Sequence, residues 1–213
     1  MSNWLTQLEE DLDWRLTELA ILKTQTALAS KDSDRYRALL RALWTMLYAH
    51  YEGFCKFAWD LYVDELQKAG YKRKDCQDEI AKLSLQKEFN RLKGDLSTES
   101  LWYFGQTDFR TMLEDTLDFK DFQKELRNKS NLYPQDFKDN SRRVYLNCTL
   151  IDQYKTELNA LVTRRNDIAH GKKMIIKDLN EYKKYEDAAI EVMYELAIAI
   201  VDCLDQQLYL KNP

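Results

Sequence analysis

Apolar residues recur along much of the chain at the three- and four-residue spacing of amphipathic helices. Residues 3–29 contain six leucines at this spacing, with acidic residues between them: Leu5, Leu8, Leu12, Leu16, Leu19 and Leu22. This pattern predicts a first helix. The polar segment SKDSD, residues 30–34, follows it, and its serines and aspartates are suited to cap a second helix.

The second predicted helix, about residues 35–70, carries the highest density of aromatic residues in the chain. Two apolar stripes run along it, one through Leu43, Leu47, His50, Phe54, Phe57 and Leu61, the other through Trp44, Tyr48, Tyr51, Cys55, Ala58 and Tyr62. A helix that is apolar over so wide an arc is expected to be covered on more than one side.

Two further helices are predicted at the end of the chain, at about 149–170 and 178–209. The last one opens with Asp178 and Glu181, which have the spacing of a capping box, and continues with an apolar stripe. We expect these two helices and the helix at 35–69 to form the core of a bundle.

The middle of the chain, about residues 71–147, has a weaker pattern. Short helical patterns at about 78–93 and 108–127 alternate with the turn-like stretches KGDLSTES and NKSNLYPQDFKDNS. No linker there is long or simple enough in composition to mark a domain boundary. We therefore predict one domain over residues 1–213, with this region as a helical insertion that packs on the core.

Composition and charge narrow the class. The 213 residues include only five glycines and two prolines, which leaves little material for hairpin turns and favours an all-α fold. The net charge of -4 argues against nucleic-acid binding through bulk electrostatics, because such domains usually carry a positive excess. Any contact with nucleic acid is therefore expected to be local.

The cysteines and the N-terminal residues suggest a cytoplasmic protein. The four cysteines do not have the spacing of a zinc site or a disulfide framework, and we expect them to be reduced and buried: Cys55, Cys76, Cys148 and Cys203. The first residues, MSNWLTQLEEDLDWRL, are acidic where a signal peptide would be basic, and no apolar run approaches the roughly 18 residues of a membrane span. We expect no membrane association and no metal or other cofactor.

One short stretch, RRNDIAHG at residues 164–171, does not fit the pattern of its helix. The buried stripe of that helix, continued at helical spacing, places Arg165 where an apolar residue is expected. Because arginine keeps its charge, Arg165 must be paired, hydrated in a cleft or directed at a ligand. Asn166 and His170 are four residues apart and share a face, and Gly171 is a typical helix-ending residue.

Purely structural roles would also account for several of these residues. Basic side chains near a helix C-terminus complement the helix dipole and the free carbonyls, which alone would be a sufficient reason for Arg165 and His170. Glu52, an acidic residue among aromatic ones, is a candidate buried partner for Arg165, although an exposed carboxylate is more common. His50 is interpreted as a hydrogen-bonded core histidine.

Two segments of the chain together resemble the HEPN superfamily. RNDIAH, residues 165–170, is similar to its R-x4-6-H signature, in the form with asparagine directly after the arginine. LYAHYEGFCKFAWDLY, residues 47–62, is similar to an early aromatic-rich helix of bacterial stand-alone HEPN proteins. The order of helices also fits, whereas the middle of the chain is unmatched.

The resemblance implies a helical bundle that forms a homodimer in which two such motifs face each other, and, in many members, metal-independent endoribonuclease activity. It also implies a role in toxin-antitoxin pairs, abortive infection or other antiviral defence, with an antitoxin or other partner. Carried onto this chain, Arg165 and His170 become the catalytic pair and Asn166 a polar helper. Some members have a tyrosine two residues after the histidine that their antitoxin modifies; here that position is Lys172, so this form of neutralisation is not expected.

The residue types agree with such chemistry. Metal-free RNA cleavage needs proton transfers, which histidine performs, and stabilisation of a charged phosphorane, which arginine provides. Three basic neighbours are candidate phosphate ligands, or simply solvated residues: Arg164, Lys172 and Lys173. The aromatic residues Trp44, Tyr48 and Tyr51 could stack RNA bases but are more often core. The alternatives are a non-catalytic HEPN-fold interaction or RNA-binding module in a larger complex, and an unrelated helical scaffold with an accidental motif.

Overall fold

The computed structural model describes residues 3–106, 109–173 and 175–212, and these residues form eleven α-helices and one 3-10 helix. The helices are α1 Asn3–Ala27, α2 Asp34–Ala69, α3 Asp78–Ser84, α4 Gln86–Gly94, α5 Thr98–Gln106, α6 Phe109–Glu114, α7 Lys120–Asn128, α8 Pro134–Arg143, α9 Leu150–Gln153, α10 Lys155–Ala169 and α11 Leu179–Asp205, with the 3-10 helix at Arg73–Asp75. The prediction of an all-α fold is confirmed. None of the helices in the described part of the chain is long and apolar enough to cross a lipid bilayer.

The described residues divide into two compact units. The first contains α1, α9, α10, the N-terminal part of α2 and most of α11. Its core is built from the stripes that the sequence predicts, and its buried side chains include Leu8, Leu12, Leu19, Trp44, Leu47, Tyr48, Tyr51, Phe54, Leu158, Leu161, Val162, Tyr182, Val192 and Leu196. Burial of such large aromatic and aliphatic side chains is the main favourable term in folding.

The second unit contains the last part of α2, helices α3 to α7, and the ends of α8 and α11. Its buried side chains include Trp59, Tyr62, Leu66, Ile80, Phe119, Phe122, Leu126 and Tyr209. A polar cluster also holds it together, because Arg143 donates to both carboxylate oxygens of Glu125 at 2.9 Å and to Gln86 Oε1 at 2.7 Å. That the whole chain is one domain with an insertion at about 71–147 stays a prediction.

The predicted capping residues begin the long helices. Ser33 Oγ accepts the backbone N–H of Tyr36 at 3.1 Å at the start of α2. Asp178 Oδ1 accepts the N–H of Glu181 at 2.8 Å at the start of α11. The Glu181 carboxylate completes the turn by accepting the N–H of Lys177 at 2.7 Å, one residue earlier than a regular capping box would require.

The middle of the chain is more helical than its sequence pattern indicates. The stretch at 128–141 is turn-like in sequence, but α8 begins within it at Pro134 and continues to Arg143, so the prediction of a turn there is wrong. Pro134 is the first residue of α8, a position where proline's fixed φ and missing N–H cost nothing, and Phe137 is fully buried. The predicted helices at 78–93 and 149–170 are each interrupted once, at Leu85 and at Tyr154.

All four cysteines are free and buried, as expected from their spacing. His50 is buried, with its Nε2 2.9 Å from Glu18 Oε2 and its ring 5.1 Å from the Trp14 ring in an edge-to-face arrangement. Burial, followed by the nearby Arg15 guanidinium, lowers the pKa of His50 below its ordinary value. His50 is therefore a core residue.

Candidate functional site: the end of helix α10

Helix α10 is fixed against α2 through its apolar stripe. Leu158, Leu161 and Val162 are fully buried, and Trp44 Nε1 on α2 donates a hydrogen bond to the Leu161 carbonyl at 3.2 Å. Both helices belong to the first unit at this point. The next residue on the same stripe is Arg165, so the packing determines where its guanidinium lies.

The Arg165 guanidinium contacts two residues of α2. Its Cζ lies 3.9 Å from the centre of the Tyr48 ring, and its Nη2 lies 3.5 Å from Glu52 Oε2. The side chains of Arg165 and Glu52 are only 21% and 15% exposed, so solvent screens this pair less than a surface pair. The cation-π contact and the ion pair explain how a charged residue is accommodated on the buried stripe.

The C-terminus of α10 is closed by a Schellman motif around Gly171. The N–H of Gly171 donates to the Ile168 carbonyl at 3.0 Å, and the N–H of Lys172 donates to the Asp167 carbonyl at 2.9 Å. Gly171 has φ +76°, in the left-handed region that glycine adopts without strain. The helix therefore ends at Ala169 with His170 as its C-cap, one residue before the position that the sequence predicts, and this turn determines the backbone position of the histidine.

Replacing Gly171 with alanine is expected to lower the free energy of unfolding by about 1 kcal/mol, because an L-residue at positive φ is strained. Space is not the cause, since an added Cβ would meet nothing within 4 Å. Denaturant unfolding of Gly171→Ala beside Gly105→Ala checks this, because Gly105 also has open space around it but lies in α5. Equal stability of wild type and Gly171→Ala would contradict the strain argument.

His170 and Asn166 lie at this helix end with accessible side chains. His170 is exposed and Asn166 is half-buried, and their backbones are joined by the bond from His170 N–H to the Asn166 carbonyl at 2.9 Å. Within the described residues neither the imidazole nor the Asn166 amide forms a side-chain hydrogen bond. Both groups are thus available to a ligand or to another chain.

The three basic neighbours of the motif differ in how strongly they are engaged. Arg164 Nη1 donates to Glu181 at 2.6 Å, and its guanidinium lies over the rings of Trp44 and Tyr185 at 5.1 and 5.5 Å. Lys172 Nζ donates to Asp167 at 2.6 Å. Lys173 is exposed. Phosphate binding by Arg164 or Lys172 would have to compete with these carboxylates, and phosphate binding by all three residues stays a prediction.

Two contacts near Arg165 were not predicted from the sequence, which gave Tyr48 only as a possible base-stacking or core residue and did not single out Lys56. Tyr48 supports the guanidinium, and Lys56 Nζ lies 2.9 Å from Glu52 Oε1. Their signal in the sequence is the spacing of Tyr48, Glu52 and Lys56, which are four residues apart and therefore share one face of α2. Without the fold, nothing distinguishes this face from the many aromatic positions around it.

The Tyr48 phenol is held in its neutral form. Burial raises the pKa of Tyr48 well above its ordinary value, and the Glu52 carboxylate adds to this, while the hydrogen bond from the Leu132 N–H to Tyr48 Oη opposes it. The ring therefore faces Arg165 as a neutral aromatic surface, not as a phenolate.

No three His, Cys, Asp or Glu side chains of residues 3–106, 109–173 and 175–212 are grouped so that they could hold a metal ion together.

The all-α fold and the arginine and histidine at the end of α10 are the features expected of the HEPN superfamily, which the sequence resembles. The family model of MAE_28990-like HEPN proteins matches residues 4–209, and the chain belongs to this family. No curated protein and no solved structure gives a significant match to it. HEPN proteins are often ribonucleases of defence systems.

Proposed function

We propose that the protein is a metal-independent endoribonuclease in which Arg165 and His170 carry out the chemistry. The observation that supports this most is the arrangement at the end of α10. A partly buried guanidinium is held by Tyr48 and Glu52, and five residues later an exposed imidazole forms no hydrogen bond within the described chain. A structural histidine is usually hydrogen-bonded, whereas a histidine that transfers protons must be accessible to substrate.

The reaction that fits these groups is attack by the ribose 2′-hydroxyl on the adjacent phosphate. The 2′-oxygen forms a bond to phosphorus while a base takes its proton, and the bond from phosphorus to the 5′-oxygen breaks while an acid protonates that oxygen. The products are a 2′,3′-cyclic phosphate and a 5′-hydroxyl. Arg165 stabilises the charge that develops on the phosphorane through its fork of N–H donors, and Asn166 assists as a neutral donor.

A two-fold homodimer would complete this site. The two proton transfers need a base and an acid, but of the two histidines in each chain His50 is buried beside Glu18, which leaves His170 alone for proton transfer. A contact between two copies around the end of α10 would bring two His170 and two Arg165 side chains to one cleft. The positive charge there would attract a phosphate although the chain as a whole has a net charge of -4.

Within this proposal the protein acts in a toxin-antitoxin, abortive-infection or other defence system and is restrained by an antitoxin or another partner of that system. The family supports a role in defence because its members are often ribonucleases of such systems.

The purified protein is expected to cleave total RNA in the presence of EDTA. The expected ends are 2′,3′-cyclic phosphate or 3′-phosphate with 5′-hydroxyl, because these follow from attack by the 2′-oxygen. End-specific labelling before and after phosphatase treatment identifies the ends. Cleavage that appears only after Mg²⁺ or Mn²⁺ is added would overturn the metal-independent mechanism.

The second candidate is a non-catalytic HEPN-fold protein that binds RNA or a partner within a larger complex. The net charge of -4 and the internal ion pairs of Arg164 and Lys172 favour its partner-binding form, because they leave less free positive charge for RNA. RNA that stays intact in EDTA, with and without divalent ions, would favour this candidate.

A further inference from the structure

Three residues on one face of α2 surround the Arg165 guanidinium, and one of them, Glu52, is its counter-ion. Tyr48, Glu52 and Lys56 are spaced four residues apart, so their side chains lie in a row along the helix. We call them the α2 row. What the row does to Arg165 follows from its separate contacts.

Tyr48 is a rigid support. Its side chain is 1% exposed, and its Oη accepts the backbone N–H of Leu132 at 3.0 Å. A ring fixed at both ends cannot follow the guanidinium if that group moves. Because the Arg165 Cζ is 3.9 Å from the ring centre, the ring limits the orientations open to the guanidinium.

Glu52 is shared between two cations. Its Oε1 lies 2.9 Å from Lys56 Nζ, whereas its Oε2 lies 3.5 Å from Arg165 Nη2, so the shorter contact is with lysine. Glu52 therefore contacts both cations of this group. Arg165 is also incompletely satisfied, because its Nε is buried and has no hydrogen-bond acceptor among the described residues.

We propose that the α2 row positions Arg165 for contact with a backbone phosphate of an RNA strand. The Tyr48 ring fixes the plane of the guanidinium. Lys56 stays paired with Glu52, so the phosphate can bind Arg165 without leaving the Glu52 carboxylate unpaired. This inference rests on the proposed ribonuclease function. Tyr48 and Lys56 act through Arg165 and are positioning residues, not catalytic residues.

The physical reason for Lys56 is competition for the arginine. Without the lysine, Arg165 would be the only cation paired with the partly buried Glu52 carboxylate. A phosphate that binds Arg165 would then displace this carboxylate and leave its charge uncompensated. With the lysine in place, Glu52 keeps a partner after an Arg165 N–H group has exchanged its carboxylate for the phosphate. Lys56→Met is therefore expected to raise KM by about 5- to 50-fold, the effect of a charged hydrogen bond that is partly screened.

The test is a double-mutant cycle with Glu52→Gln. If Lys56 acts only through the Glu52 charge, Lys56→Met has no further effect on KM in the Glu52→Gln protein. The substrate is a short mixed-sequence single-stranded RNA, and its 2′-deoxy counterpart, which lacks the attacking hydroxyl, measures binding alone by fluorescence anisotropy. A Lys56→Met effect of equal size in both backgrounds would contradict the positioning role.

Tyr48 is tested by a pair of substitutions. Tyr48→Leu removes the ring and is expected to lower kcat by about 3- to 30-fold, the range of a partly buried cation-π contact. Tyr48→Phe keeps the ring, so kcat is expected to stay near wild type even if the melting temperature falls through loss of the Leu132 hydrogen bond. Equal loss of kcat in the two variants would show that the ring surface is not what positions Arg165.

Matched controls lie on α11, outside the site. Lys183→Met removes an exposed lysine that is paired with Asp187 four residues later, and Tyr194→Leu removes an exposed tyrosine. Both are expected to keep wild-type KM and kcat. Active wild type with unaffected Lys56→Met and Tyr48→Leu variants would overturn this inference alone, whereas wild type that cleaves no RNA would overturn the proposed function and this inference with it.

Discussion

Replacing His170 with alanine is expected to lower metal-independent RNA cleavage by about 10²- to 10⁴-fold, the usual contribution of general acid-base catalysis. The imidazole is exposed at the end of α10, and no other histidine is available for proton transfer because His50 is buried beside Glu18. If two copies share one cleft, the variant removes both the acid and the base. Single-turnover cleavage in EDTA measures the loss.

The fold is not expected to change, because the imidazole makes no side-chain hydrogen bond in the described chain and its backbone is held by the turn at Gly171. His170→Asn serves as a second variant that keeps a polar side chain but cannot transfer protons near neutral pH, and imidazole in the buffer is expected to restore part of the rate to His170→Ala. Lys183→Ala is the matched surface control. Wild-type rates in both His170 variants would show that another group performs the chemistry.

The helices were predictable wherever apolar residues recur at helical spacing along the whole segment. The leucines of α1 and the aromatic stripes of α2 indicated the correct helix type, and the bounds of these helices lie within two residues of those predicted. Helix α8 was missed because its polar residues resemble a loop, although Phe137, Asn140 and Ser141 are buried in the fold. Tertiary packing determines whether such polar segments form a helix or a loop, and the contacts that do so cannot be read directly from one sequence.

For the site, the sequence pointed to Arg165 because a charge interrupts a buried stripe, and it suggested Glu52 as the counter-ion because a carboxylate among aromatic residues needs a partner. The structure contains this pair. The sequence could not indicate that Tyr48 is the ring that contacts the guanidinium, since Trp44 and Tyr51 on the same helix were equally plausible contacts. Nor could it show that Arg164 is engaged by Glu181, which depends on how α10 and α11 pack. Whether Arg165, Asn166 and His170 are catalytic is still a prediction.

Arg165→Ala is expected to reduce cleavage by about 10²- to 10³-fold, the usual cost of losing a donor that stabilises charge in the transition state. It is also expected to leave the protein folded. Removing one partner of a buried ion pair normally destabilises a protein because the other charge is left alone. Here Glu52 keeps Lys56 at 2.9 Å, so the carboxylate retains a partner after the arginine has gone.

Arg165→Lys is the matched variant, since it keeps the charge but loses the planar fork and its stacking on Tyr48. It is expected to recover only a small part of the activity. If charge alone restored the wild-type rate, the guanidinium geometry that Tyr48 imposes would be irrelevant to the reaction.

The same variant tests assembly, because two Arg165 side chains facing each other across a two-fold cleft repel when no phosphate lies between them. Removing this repulsion cannot weaken the dimer electrostatically, so Arg165→Ala is expected to remain a dimer while losing activity. Light scattering at several concentrations, with cleavage measured on the same samples, separates the two properties. A fully active monomer, or a dimer in which the two His170 side chains lie on opposite outer faces, would exclude a shared cleft and would require one chain to supply both the acid and the base.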